Sequence, residues 1–187
     1  MGAMLIRVLF AAGFIVASAS VARADDSPSF FPKGTKSLTA YGSYLKSFDG
    51  QEAKMGDSTF GVGYYIFDNF SLNLEAAGYY DNQPVRNTVI TAGDLMIRHH
   101  LFHSGRFSFF GEGVVGITYA DHRAPASGTY YNYMVEPGLG ATFQLHDNLN
   151  LMGGVRYFHL SNARLEGPDR NPSINATQVY IGLLLKL

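Results

Sequence analysis

Cysteine is absent from the 187 residues. That excludes a disulfide framework and a thiolate metal site, and it suits a fold stabilised by closure rather than by covalent staples. Charge is scarce as well: Asp, Glu, Lys and Arg make up 16% of the chain, with 14 basic residues against 15 acidic ones. There is no basic excess and no Lys/Arg cluster, so nucleic acid is not an expected partner. Also missing is a run of about 20 apolar residues, the length that crosses a bilayer as a helix.

The apolar stretch from Val8 to Val16 is too short for that purpose, and a polar segment follows it. Arg7 stands before it and Ala22-Arg23-Ala24 after it. A basic start, a short apolar middle and a small-x-small end form the pattern of a secretory signal peptide. Residues 1–24 are therefore expected to be a signal peptide, with a mature chain beginning near Asp25 and residues 25–187 forming one domain. Without Arg7 and Arg23 the formal charge is 12 − 15 = −3.

What the chain does have is 21 Gly, 12 Tyr and 14 Phe. Glycine and aromatics on short, regularly punctuated runs point to β-structure. Eight runs suit strands, at about 37–48, 56–67, 71–81, 88–102, 107–120, 129–145, 149–161 and 175–187. Their connections alternate in length. Asp68-Asn69-Phe70, His103-Ser104-Gly105-Arg106 and His146-Asp147-Asn148 are tight turns of turn-forming residues, whereas 49–55, 82–87, 121–128 and 162–174 are longer. Tight turns at one end and long loops at the other, with an even strand count, are the pattern of an outer-membrane barrel. The expected fold is all-β: an eight-stranded antiparallel transmembrane β-barrel.

Alternation agrees. Val179, Ile181, Leu183, Leu185 and Leu187 share one face of the last run, and Leu149, Leu151, Val155 and Tyr157 share one face of the seventh. In the third to sixth runs, Leu74, Leu95, Val115 and Leu139 stand on apolar faces, opposite polar ones carrying Glu75, Asp94, Glu112 and Glu136. The first two runs alternate less cleanly. Glu75, Asp94, Arg98, Glu112, Glu136 and Arg156 are expected to form ion pairs inside so narrow a barrel, as structural rather than catalytic groups. His99, His100 and His103 cluster at a tight turn, but the first two point to opposite faces, so membrane-interface positions are expected for them rather than a metal site. The alternating apolar C-terminus resembles the signal read by the outer-membrane assembly machinery, with Leu187 in place of the usual aromatic.

The segment Tyr157-Phe158-His159-Leu160-Ser161-Asn162-Ala163 carries the chemistry. On a strand, His159 and Ser161 leave the same face. Their Cβ atoms lie ~7 Å apart, from which imidazole and hydroxyl can lean into contact. A neutral imidazole that accepts the hydroxyl proton makes a serine nucleophilic. By parity both belong to the odd-numbered series assigned to lipid, at the loop end of the strand. A polar pair there has a purpose when the substrate is itself a lipid, and the outer leaflet of a Gram-negative outer membrane is lipopolysaccharide.

The stretch from His159 to Ala163, followed by Asn171-Pro172-Ser173-Ile174-Asn175, resembles the PagL-type lipid A 3-O-deacylases and their acyloxyacyl hydrolase-like relatives. Their pattern is His-x-Ser-Asn-Ala/Gly at the end of the penultimate strand of an eight-stranded barrel. The resemblance implies a carboxylic ester hydrolase that removes the ester-linked 3-hydroxyacyl chain of lipid A without a cofactor or a metal. It implies Ser161 as nucleophile and His159 as general base. Asn175 occupies the position of the family's acid, where its amide oxygen can still orient His159. Glu166 or Asp169 would serve if the loop supplied the acid instead. Asn162, Asn171 and the backbone N–H groups of Ala163 and Arg164 are the oxyanion candidates, and Arg164 and Arg170 are candidates for lipid A phosphates. Lipid A and outer-membrane lipids are the partners implied, and a homodimer is left open. The competing readings are a non-catalytic structural or adhesive outer-membrane barrel and a lipocalin-like binder, the latter disfavoured by the outward apolar series.

Overall fold

A chain that alternates apolar and polar residues can bury its backbone in hydrocarbon only if every strand finds a partner on both sides. The computed structural model describes residues 29–48, 53–82, 86–167 and 171–187. The expected signal peptide lies outside them, as do Asp169 and Arg170. Among the described residues eight strands form: β1 (Lys36–Ser47), β2 (Lys54–Phe67), β3 (Phe70–Asn82), β4 (Thr88–Ser104), β5 (Phe107–Ala124), β6 (Thr129–Gln144), β7 (Leu149–Ser161) and β8 (Ile174–Lys186). Each pairs antiparallel with its neighbours in sequence, and β8 pairs with β1 to close the barrel.

The boundaries follow the alternation closely, with β5 the main exception. It runs four residues beyond the expected 107–120, because Ala124 pairs with Thr129 across a register shift that follows Tyr119. Asn132 Nδ2 donates to the Ala124 carbonyl at 3.1 Å and ties this extension down. Strands β1 and β2 alternate as regularly as the rest. Their contrast is faint in the sequence because small Ser37 and Thr39 point inward while small Ala40 and Gly42 point outward.

The outer wall is apolar: Phe60, Leu74, Ile117, Leu139, Val155 and Ile181 are among its exposed side chains. The lumen is packed rather than open. At mid-height Arg98 and Arg156 converge on Glu112, at 2.8 Å and 2.7 Å, and Arg156 also reaches Glu136 at 3.0 Å. Arg98 and Glu112 are direct cross-strand partners. Tyr180 donates its hydroxyl to Glu112 at 2.6 Å, and Tyr41 donates to Glu75 at 2.7 Å. Such burial is tolerable for Arg98, Arg156, Glu112 and Glu136 because each meets an opposite charge and further hydrogen bonds. Among the described residues Glu75 and Asp94, also expected in ion pairs, form none, because the two arginines are engaged by Glu112 and Glu136; Glu75 meets the Tyr41 hydroxyl instead. Glycine makes room for the rings beneath the guanidinium groups: a Cβ on Gly140 would lie 2.5 Å from the Phe110 ring, and one on Gly154 2.7 Å from the Tyr180 hydroxyl.

Apolar clusters fill the lumen above and below this network. Leu45, Met55, Met96, Met134, Phe158 and Leu160 occupy the loop end, while Tyr65, Phe110, Met152 and Leu184 occupy the tight-turn end. The stretch before β1 completes the lower cluster. Phe31 is wholly buried there, stacked on Tyr65 with ring centroids 4.8 Å apart. Its N–H donates to Asn69 Oδ1 at 3.0 Å and its carbonyl accepts from Asn69 N–H at 2.8 Å. His100 departs from the expected interface position. It lies inside the barrel, 97% buried, with Nδ1 2.6 Å from Ser108 Oγ and Nε2 3.2 Å from the Tyr65 hydroxyl. The cause is parity: even-numbered residues of β4 face the lumen, and the Phe31 ring, 4.3 Å away, covers this one.

The network predicts a measurable stability effect. Glu112→Gln removes the charge that both arginines share, and it is expected to cost about 3–5 kcal/mol. Urea unfolding in phospholipid vesicles, read by the gel mobility of the folded barrel, checks this, and a cost below about 1 kcal/mol would show the network to be dispensable.

Candidate active site

The site sits where β7 ends and β8 begins, at the loop end of the wall. Register brings its parts together. His159 is the cross-strand partner of Asn175 on β8 and of Val135 on β6, and Ser161 is opposite Tyr133. Just below, the β6–β7 pairing lapses where Glu136 and Pro137 face Phe158 and Tyr157. Pro137 has no N–H to give to the ladder.

His159 Nε2 is 3.0 Å from Ser161 Oγ, and His159 Nδ1 is 2.8 Å from Asn175 Oδ1. An amide oxygen only accepts, so Nδ1 carries the ring proton and Nε2 is left to accept from the serine hydroxyl. The three side chains thus form one directed chain of hydrogen bonds. Asn175 Oδ1 takes a second donor, the hydroxyl of Tyr157, at 2.5 Å, while Asn175 Nδ2 donates to Ser173 Oγ at 3.2 Å. The backbone is held too: Phe48 N–H donates to the Asn175 carbonyl at 3.1 Å, across from β1.

His159 lies in the outward series with Val155 and Tyr157, which are 50% and 43% exposed, and is itself half-buried. Ser161 is only 4% exposed. The chain leaves β7 there and turns at once. Asn162 Oδ1 accepts from Arg164 N–H at 2.9 Å, and the Asn162 carbonyl accepts from Leu165 N–H at 3.1 Å. Ala163 and Arg164 take left-handed backbone angles, φ 53° and 65°. Two non-glycine residues in that region cost of order 1 kcal/mol or more each, a strain that concentrates at functional sites.

The other residues singled out in the sequence are placed as follows. Asn162 is buried directly beside Ser161, and Ala163 is exposed in the turn. The Arg164 N–H, another of the oxyanion candidates, donates to Asn162 Oδ1. Asn171 lies half-buried on the approach to β8, with its Oδ1 shielded and without a hydrogen-bond partner among the described residues. Glu166 is exposed in the turn after β7, and His159 Nδ1 meets Asn175. Two contributors, Tyr157 and Ser173, have no site role on the sequence alone. Tyr157 was legible only as one more member of the outward apolar series, although a hydroxyl two residues before a histidine on the same face was a usable signal.

The model of the family described as lipid A 3-O-deacylase (PagL) matches residues 39–183. No curated protein matches the chain in sequence. Among solved structures the barrel is similar to Neisserial surface protein A, with 12% identity and a TM-score of 0.66 over 81% of this chain and 97% of that one. It is similar to the outer membrane enzyme PagL at 17% identity and a TM-score of 0.60, over 78% and 97% of the two chains. It is also similar to the outer membrane protein OprG from Pseudomonas aeruginosa, at 12% identity and a TM-score of 0.54, over 84% and 97%. At such identities these structures speak for the fold. The family match reaches from the first strand into the last and takes in His159, Ser161 and Asn175, and on it this chain belongs to the lipid A 3-O-deacylase (PagL) family.

Proposed function

We propose that this lipid A 3-O-deacylase cleaves its ester by a serine mechanism, with Ser161 as nucleophile, His159 as general base and Asn175 as the residue that orients His159. The observation that carries the reading is the unbroken run Ser161 Oγ, His159 Nε2, His159 Nδ1, Asn175 Oδ1, with contacts of 3.0 Å and 2.8 Å on the lipid-facing wall.

Ser161 Oγ attacks the carbonyl carbon of the 3-O-linked acyl chain while His159 Nε2 takes its proton. The tetrahedral intermediate collapses, the sugar oxygen leaves with the proton returned by His159, and the acyl group stays on Ser161. Water, deprotonated by His159, then releases the fatty acid and restores the hydroxyl. The negative charge on the intermediate calls for preorganised donors beside Ser161. Asn162, the Ala163 N–H and Asn171 are our candidates. The site acts at the outer leaflet, where the loop end of the barrel meets lipopolysaccharide, and residues 1–24 act as the signal that directs the chain there. Arg164, exposed in the turn after β7, is our candidate for meeting a phosphate of the same lipid.

Asn175 supplies an acceptor but no charge, so it orients the imidazole and stabilises the imidazolium less than a carboxylate does. Asn175→Asp, isosteric with the native side chain, is therefore expected to hold or raise the rate, as measured on purified protein with lipid A. Collapse of activity in a correctly folded Asn175→Asp barrel would transfer the orienting role to Glu166 or Asp169. Ser161→Ala and His159→Ala are each expected to lower the rate on the order of a thousandfold or more. Mass spectrometry of lipid A from cells expressing the wild type and each variant checks this: the wild type shifts lipid A by one acyl chain and the variants do not. Lipid A unchanged by the wild type would favour a non-catalytic barrel.

A further inference from the structure

A carboxylate beside a catalytic histidine offers an acceptor whichever way it turns. An amide does not: it has a carbonyl on one side and an NH2 on the other. In this site only the carbonyl serves. Turned over, Asn175 would present N–H to His159 Nδ1 and send the ring proton to Nε2. Ser161 would then change from donor to acceptor, and the imidazole would no longer be a base toward it. An orienting asparagine therefore needs something that an orienting acid does not, a partner that settles which way round the amide lies.

Tyr157 is in position to be that partner. It precedes His159 by two residues and leaves the same face of β7. Its hydroxyl donates to the same Asn175 Oδ1 that receives His159 Nδ1–H, at 2.5 Å. Its ring lies nearly parallel to the imidazole, at 9° with centroids 6.5 Å apart, and 6.0 Å from the Phe48 ring on the other side. The opposite edge of the amide donates to Ser173 Oγ. Turning the amide over takes Asn175 Oδ1 away from both the phenol and His159 Nδ1 and sets an NH2 donor against two donors in its place.

We propose that Tyr157 is a positioning residue whose phenol holds the Asn175 amide with its carbonyl toward His159, a role that exists because this chain carries an amide rather than an acid beside His159. The inference rests on the serine mechanism above and adds to it the residue that makes an asparagine workable.

The test is a double-mutant cycle on the purified full-length barrel with lipid A in mixed micelles. It compares wild type, Tyr157→Phe, Asn175→Asp and the double variant, with Ser161→Ala beside them. Tyr157→Phe is expected to lower kcat on the order of fivefold, the worth of one hydrogen bond, with KM little changed. In the Asn175→Asp background the same change is expected to cost less than about twofold, since a carboxylate has no wrong way round. Equal losses in both backgrounds would reduce Tyr157 to packing and overturn the proposal, as would no loss in either. Activity retained by Ser161→Ala would overturn the serine mechanism along with it, an outcome distinct from a failed cycle. Nitrogen-15 shifts of the His159 ring give a readout independent of turnover: Tyr157→Phe is expected to move population from the Nδ1–H to the Nε2–H tautomer, and an unchanged tautomer would overturn the proposal.

Discussion

The rest of the structure depends on the pairing that closes the sheet. In hydrocarbon an unpaired backbone N–H or carbonyl has nothing to turn to, so β8 must satisfy β1 and β7 at once. The two registers, Leu38 against Leu185 and Leu151 against Leu183, leave no freedom of parity. A slip of one residue would send Val179 and Ile181 into the lumen and Gln178 and Tyr180 into lipid. The same register sets Asn175 against His159. The proposed base and its orienting residue are thus held by the constraint that makes the barrel possible, and neither residue needs a loop to find the other.

Interior and exterior divide the work. Inside, two arginines, their carboxylates and the rings of Phe110, Tyr41 and Tyr180 interlock, and with apolar clusters on either side they leave little room for the strands to shift. Rigidity of this kind is what a site built on strands requires, because misplacement of a base by 1 Å is costly. Outside, the wall beside His159 carries Val135, Tyr133, Tyr157 and Phe48, side chains of the outward series.

How much of this was legible in the sequence differs from part to part. Strands three to eight announce themselves because large apolar residues recur on one face, in the third and fourth opposite charged ones, Leu74 with Glu75 or Leu95 with Asp94. Strands one and two do not, because Ser37, Thr39, Ala40 and Gly42 differ too little in hydropathy to mark a face. The far end of β5 reads as loop because Asp121, His122 and Arg123 carry no apolar alternation, and only the pairing of Ala124 with Thr129 reveals it. The inward face was legible as charge but not as filling: Met96, Met134, Met152 and Phe158 point inward from strands whose pattern suggested a polar lumen. Phe31 belonged to no pattern, since a plug is recognised only by what it plugs. At the site, spacing placed His159 and Ser161 on one face, and the family resemblance added Asn175. Tyr157 was missed because an aromatic on a lipid-facing series looks complete as an apolar residue, and its hydroxyl gains meaning only across the strand.

The plug has a consequence for how such a protein meets its substrate. With Phe31 seated against Tyr65 and His100, and the lumen packed above it, the barrel is a solid post rather than a conduit. Nothing reaches His159 through the protein. On the proposed mechanism, encounter takes place sideways, by diffusion within the plane of the membrane, and the quantity that governs turnover is the number of lipid A molecules per unit area rather than any bulk concentration. An outer membrane crowded with that lipid would keep such a catalyst near saturation, and dilution into detergent would starve it.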